Sequence, residues 1–172
     1  KALGDKITVQ ESDWNCVLLF TPNQKRKPFD DPRVRRALSL AVDRWGGSKY
    51  LSKIAIVKTV GGVVFPSHPL AATEAEMTKL AGYGKDLAKN RAEAKRLLKE
   101  AGHAGMSFEL HNRKVDQPYK VLGIWLIDQW KQIGLKVSHR VQPSGPFYDT
   151  LRKKSDFDVS IDFNCQSVIN PI

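Results

Sequence analysis

Residues 14–20 (WNCVLLF) are apolar at all but one position and predict a buried strand. The polar stretch 21–28 (TPNQKRKP) predicts a loop. Asp31 is then a good N-cap and Pro32 suits the first helical position, where its missing N–H costs nothing. Val34, Ala37, Leu38, Ala41 and Val42 recur at helical spacing and predict one amphipathic helix, which Gly46-Gly47 would end. Ser48 could cap a second short helix carrying Leu51, Ile54 and Ala55. Residues 61–69 (GGVVFPSHP) predict an irregular loop, and Thr73 with Glu76 a capping box.

The second half is more regular. Asn90 is expected to open a helix with Ala94, Leu97, Leu98 and Ala101 inside and Gly102 as its stop. Met106, Phe108 and Leu110 alternate as a half-buried strand does, with His111 expected in the loop beyond. Asp116 and Pro118 start a helix that is apolar nearly all round from Val121 to Ile133, and so is expected to pack deeply. Leu135, Val137, His139 and Val141 alternate again, giving a βαβ unit. Ser144 and Pro146 could open a short helix ending near Lys154. Phe157, Val159, Ile161 and Phe163 predict a last strand. The fold class is therefore α/β: a mixed sheet with flanking helices. Both ends of the chain carry apolar strands, so the domain is expected to be entered and left from a neighbour.

The length of 172 residues fits one domain, large enough to bury roughly 70% of its unfolded surface. The net charge of +10 favours acidic partners, and a basic nucleic-acid-binding domain is the alternative it raises. The charge is spread, however, and Lys25-Arg26-Lys27 and Arg152-Lys153-Lys154 are its only uninterrupted triplets. Near Arg33, Arg35 and Arg36 stand Asp30, Asp31 and Asp43, with no aromatic platform for stacking bases; a solvated amphipathic helix fits better than a groove reader. Four histidines and two cysteines, Cys16 and Cys165, form no metal or nucleophile motif. Free cysteine is usually a small core hydrophobe, and His139 falls on the apolar side of its strand. No glycine-rich phosphate loop is present, so nothing in the sequence points to catalysis.

Residues 27–44 (KPFDDPRVRRALSLAVDR) resemble the signature of the family 5 extracellular solute-binding proteins. The resemblance extends to Asn23 before the Pro28-Phe29 turn and to residues 90–102 (NRAEAKRLLKEAG). It continues through residues 125–137 (WLIDQWKQIGLKV) to the strand and loop of 157–171. These motifs occur in order from about Trp14 onward. The resemblance implies that residues 1–172 are a single periplasmic-binding-protein-like lobe, lobe II of a two-lobe receptor, with its end strands running to the hinge.

The implied function is capture of a peptide or other small solute in the interlobe cleft, for delivery to the transmembrane subunits of an ABC permease. The implied protein is a monomer, periplasmic or a cell-surface lipoprotein. It works with the first lobe of its own chain and binds no nucleic acid. No catalytic residue, metal or cofactor is implied. The expected ligand-binding residues are Asn23, Asn112, Arg113, Asp162, Asn164 and Gln166, at or beyond strand ends, with Arg113 favouring a carboxylate or phosphate. One departure concerns the loop that takes a peptide's amino terminus in peptide-binding members. Here it reads DFNCQSVINP, with Asn170-Pro171 in place of Asp-Pro and Asp162 as its acidic group. The hinge placement also brings Cys16 and Cys165 within reach of each other, leaving two readings open: a disulfide, or two separate buried thiols.

Overall fold

A computed structural model describes Thr8 and residues 16–165, apart from 56, 58, 63, 65 and 67. Its centre is a four-stranded mixed sheet of order β1-β4-β2-β3, from strands β1 (Cys16–Pro22), β2 (Ser107–Arg113), β3 (Lys136–Gln142) and β4 (Val159–Cys165). β1 runs antiparallel to β4, while β2 runs parallel to both β3 and β4. Among the described residues six α-helices flank the strands: α1 (Pro32–Leu40), α2 (Arg44–Ile54), α3 (Glu74–Met77), α4 (Leu87–Glu100), α5 (Val121–Lys131) and α6 (Ser144–Tyr148). β2, α5 and β3 form the expected βαβ unit.

The core lies between one face of the sheet and helices α1, α4 and α5. Val34, Leu38, Leu98, Leu110, Leu126 and Ile161 are buried there, each worth roughly 1.5–3 kcal/mol relative to exposure. Trp130 is fully buried, and its indole N–H donates to the Leu38 carbonyl at 3.1 Å. A large ring can be buried at little polar cost only if its one donor is satisfied in this way.

The helix starts and stops follow side-chain chemistry. Asp31 accepts from the Arg33 amide at 2.7 Å and also holds the Arg33 side chain, hydrogen bonding that lowers its carboxyl to about 2. The capping box of Thr73 and Glu76 forms, with both reciprocal bonds present. Gly102 and Gly134 take φ of +75° and +89° after α4 and near the end of α5, a left-handed conformation that side chains resist.

Several expectations are corrected. The first helix ends at Leu40, because Asp43 caps a second helix by accepting from the Gly46 amide at 2.8 Å. Gly46 and Gly47 therefore lie inside α2. A Cβ on Gly47 would stand 2.2 Å from the Trp125 ring, so close packing, rather than helix termination, accounts for that glycine. Likewise α4 begins a turn before Asn90, capped by Asp86, whose carboxylate accepts from the Lys89 amide. α5 is not buried all round: Ile124 is 56% exposed. β2 extends to Arg113, so His111 is a fully buried strand residue and not part of a loop. Residues 116–120 form an irregular turn, with Gln117 extended, before regular helix begins at Val121.

Cys16 and Cys165 are register partners across β1 and β4 and are joined by a disulfide. That settles the open choice against two separate thiols.

Candidate functional site

The carboxyl ends of β2, β3 and β4 share one edge of the sheet, and the antiparallel β1 brings its amino end there too. β2 and β4 pair only at Leu110–Val159 and His111–Ser160. Beyond those pairs Tyr119, from the turn after β2, reaches across to β4. Its ring packs edge-on against Phe163 at 5.0 Å, and its hydroxyl donates to Asp162 Oδ1 at 3.4 Å. Burial, with a smaller contribution from Asp162 and against the pull of Arg113, raises the phenol to about 12, so it remains a donor at neutral pH.

Arg113 closes this cluster. Its guanidinium carbon lies 4.1 Å from the Tyr119 ring centroid, and its Nη1 donates to the Tyr148 hydroxyl at 2.9 Å. Two aromatic rings thus fix a half-buried cation. Its Nε is buried without a hydrogen-bond partner, and no carboxylate stands within 4.0 Å among the described residues. Asp162, meanwhile, accepts from the Phe163 amide at 2.9 Å. The guanidinium therefore carries a charge that a carboxylate or phosphate could balance.

Asn112 serves the cluster from behind. It is fully buried, its Nδ2 donates to the Tyr119 carbonyl at 2.7 Å and lies 3.0 Å from His139 Nε2, and its Oδ1 accepts from the Arg113 amide. With the amide as donor, His139 Nε2 is the acceptor of a neutral ring. Burial, followed by the charge of Lys120, lowers its pKa in agreement. Gly123 leaves the room this needs: a Cβ there would come within 2.5 Å of both Asn112 Nδ2 and His139 Nε2. Asn112 therefore positions Tyr119 from within the core.

Tyr148 is held in turn through α6. Phe147 stacks on the His111 ring at 4.5 Å, and Gln142 Oε1 binds both His111 Nε2 and the Thr150 hydroxyl. His111 is pushed below its usual pKa, chiefly by burial.

Of the six expected site residues, the fold brings Arg113 and Asp162 together through Tyr119. Asn164 is exposed farther along the same face of β4, and Asn112 lies behind. Asn23 is placed elsewhere, a correction. β1 is antiparallel, so its carboxyl end lies at the opposite edge, where the Asn23 amide donates to the Ser155 and Phe157 carbonyls at 2.9 and 3.0 Å. Gln166 lies outside the described residues. Sequence reasoning missed Tyr119 and Tyr148, whose positions in presumed helix starts carry no periodic signal. Two shallow recesses lie away from the cluster, one beside Lys27, Arg33 and His103, the other beside Glu109, Lys136 and Asp158. Among the described residues no group of His, Cys, Asp or Glu could hold a metal ion, and no helix is long and apolar enough to cross a membrane.

Comparison with known proteins gives a consistent picture. The family model for bacterial extracellular solute-binding proteins, family 5 Middle, matches residues 2–171. The periplasmic oligopeptide-binding protein OppA of Salmonella typhimurium is 31% identical over 157 residues, 88% of this chain and 27% of that protein. The probable deoxycholate-binding periplasmic protein YgiS of Escherichia coli is 33% identical over 145 residues, 80% of this chain and 25% of that protein. The chain thus spans about a quarter of the length of these curated relatives. The structure of the murein tripeptide-binding protein MppA of Escherichia coli superposes with a TM-score of 0.74 at 21% identity, over 92% of this chain and 30% of that one.

Proposed function

This chain belongs to the bacterial extracellular solute-binding proteins of family 5, and from that premise we propose that it is one lobe of an extracytoplasmic receptor of an ABC importer. In this reading the lobe contributes half of an interlobe cleft, and the receptor hands its solute to a membrane permease. The end strands β1 and β4 lead toward the hinge, and closure over solute is a population shift driven by contacts present only in the closed state.

The observation that carries the reading is Arg113: a half-buried guanidinium that lies over the Tyr119 ring and donates to the Tyr148 hydroxyl at the carboxyl edge of the sheet, with its buried Nε unpartnered and no carboxylate within 4.0 Å among the described residues. Such a cation is poised for an anionic solute. Oligopeptide and deoxycholate, the ligands named for two relatives, both carry a carboxylate. Asp162, near by and bridged to Arg113 through Tyr119, adds an acceptor suited to an ammonium group. This favours a peptide over a bile acid. Asn164, exposed on the same face, supplies a directional amide.

Calorimetry on the intact two-lobe receptor tests this with a tetrapeptide, the same peptide with an amidated carboxyl end, and deoxycholate. The free-acid peptide should bind best, and amidation or Arg113→Ala should each weaken it about tenfold or more without adding to each other. Equal binding of acid and amide would overturn the role given to Arg113, and tighter binding of deoxycholate would overturn the peptide assignment.

A further inference from the structure

Most of the two basic triplets lies away from the proposed cleft edge; Arg152 does not, since its guanidinium carbon stands 4.5 Å from the centroid of the Tyr148 ring that also holds Arg113. They lie 125 residues apart in sequence at their nearest members, Lys27 and Arg152, yet the fold staples the Lys25–Arg26 segment to the Lys154 end of the second triplet at the end of the sheet opposite Arg113. The Asn23 amide, two positions before Lys25, binds the Ser155 carbonyl, one position after Lys154. Arg26 then ties the same segments through Asp156 and Asp158, both at 3.1 Å.

The local carboxylates are largely consumed within the domain. Asp156 and Asp158 hold Arg26, Glu109 holds Arg140 at 3.4 Å, and Asp149 holds Lys153 at 2.7 Å. Asp30 stands near Lys27. Lys25, Lys27 and Lys154 are all exposed, and none has a carboxylate partner among the described residues, whereas Arg152 lies over the Tyr148 ring. A general solvated surface would intersperse both signs. Here Arg26, Arg140 and Lys153 engage the anions, while Lys25, Lys27 and Lys154 project.

We propose that this end of the domain is a cationic docking surface for the headgroups of anionic membrane lipids. Its three free cations are all lysines, strongly hydrated point charges on flexible stems that suit a diffuse anionic plane better than a fixed bidentate site. Nucleic acid fits less well. The helix arginines that might enter a groove are engaged: Arg33 by Asp31 and the Glu100 carbonyl, Arg35 by the Phe29 and Asp30 carbonyls. The proposal does not depend on which solute the cleft takes. It draws on the extracytoplasmic role only in choosing lipid as the anion, and its location at the end away from Arg113 leaves the cleft edge free.

Vesicle co-sedimentation of the chain tests it. Binding is expected to vesicles of phosphatidylcholine containing about a third phosphatidylglycerol, to weaken as salt shortens the Debye length, and to be absent with phosphatidylcholine alone. Each lysine near such a surface is worth about fivefold, so Lys25→Glu, Lys27→Glu and Lys154→Glu together should weaken binding by at least about tenfold at unchanged melting temperature. The control Lys79→Glu, Lys89→Glu and Lys95→Glu makes the same change in net charge on other surfaces and should lose much less. Equal losses in the two triple variants, or equal binding to neutral vesicles, would overturn the surface. Tight duplex DNA binding by a chain that ignores anionic vesicles would overturn the choice of lipid. Failure of solute binding in the receptor leaves these outcomes unaffected.

Discussion

Tyr119 carries Arg113 on its ring face, 4.1 Å from guanidinium carbon to centroid, while its hydroxyl reaches Asp162 on the neighbouring strand. One side chain therefore orients both charged groups of the proposed half-site. Cation–π contact is worth about 0.5–2 kcal/mol, more as the pair is desolvated. Tyr119→Phe keeps the ring and drops the hydroxyl. It should weaken peptide binding by the intact receptor about threefold, whereas Tyr119→Leu should weaken it about tenfold or more. Calorimetry that ranks Phe and Leu as equals would remove the stacking role.

The isolated lobe should bind solute far more weakly than the receptor, since closure adds contacts that half a cleft lacks. Titrating the chain and the two-lobe protein with one tetrapeptide measures the difference. Comparable affinities would mean that the site is complete in this lobe.

The Cys16–Cys165 bridge closes a separation of 149 residues. Cross-links over long loops stabilise by about 2–5 kcal/mol, chiefly by restricting the unfolded chain. Protein prepared under oxidising conditions should show no free thiol from this pair after denaturation, and reduction should lower the melting temperature by roughly 5–15 °C. Two titratable thiols in unreduced protein would exclude the bridge.

Asn23→Ala leaves the Ser155 and Phe157 carbonyls without their amide donor in a partly buried setting. The expected cost is about 1–3 kcal/mol of stability, read as a shift of the urea midpoint. Affinity of the receptor for its solute should be unchanged, because Asn23 lies at the far edge of the sheet. A selective loss of affinity with stability intact would return Asn23 to the site.

Acid should weaken the fold before the carboxylates titrate. His111 and His139 both have folded pKa values below their usual 6.5, burial being the main cause. Facing His111, Arg140 pushes the same way, while Gln142, Glu109 and Asp156 oppose. The unfolded chain therefore binds more protons as pH falls. Stability is fully present above about 6.5 and declines as pH drops through 6.5 toward the depressed values. Urea midpoints measured from pH 7.5 to 5 should fall, and His139→Gln should reduce the slope. Flat midpoints would show that neither ring is held neutral by the fold.

What the sequence determined by itself is the part that rests on local periodicity and composition. Val34, Ala37 and Leu38 at helical spacing, the alternation of Phe108 with Leu110 and of Val159 with Ile161, and the Thr73–Glu76 cap each report on neighbours a few residues away. The ordered motifs from Asn23 to residue 171 likewise carried the family resemblance. Tertiary structure decided whatever depended on residues distant in sequence. It fixed Gly47 inside α2, because the Trp125 ring occupies the space a side chain there would need. It drew His111 and Asn112 into a longer strand, because Gln142 and Tyr119 offered their polar atoms partners. It sent Asn23 to the edge opposite Arg113, because β1 is antiparallel, and it paired Cys16 with Cys165 for the same reason. Strand direction and the company of an arginine come from packing across the sheet, and no local pattern in the chain encodes them.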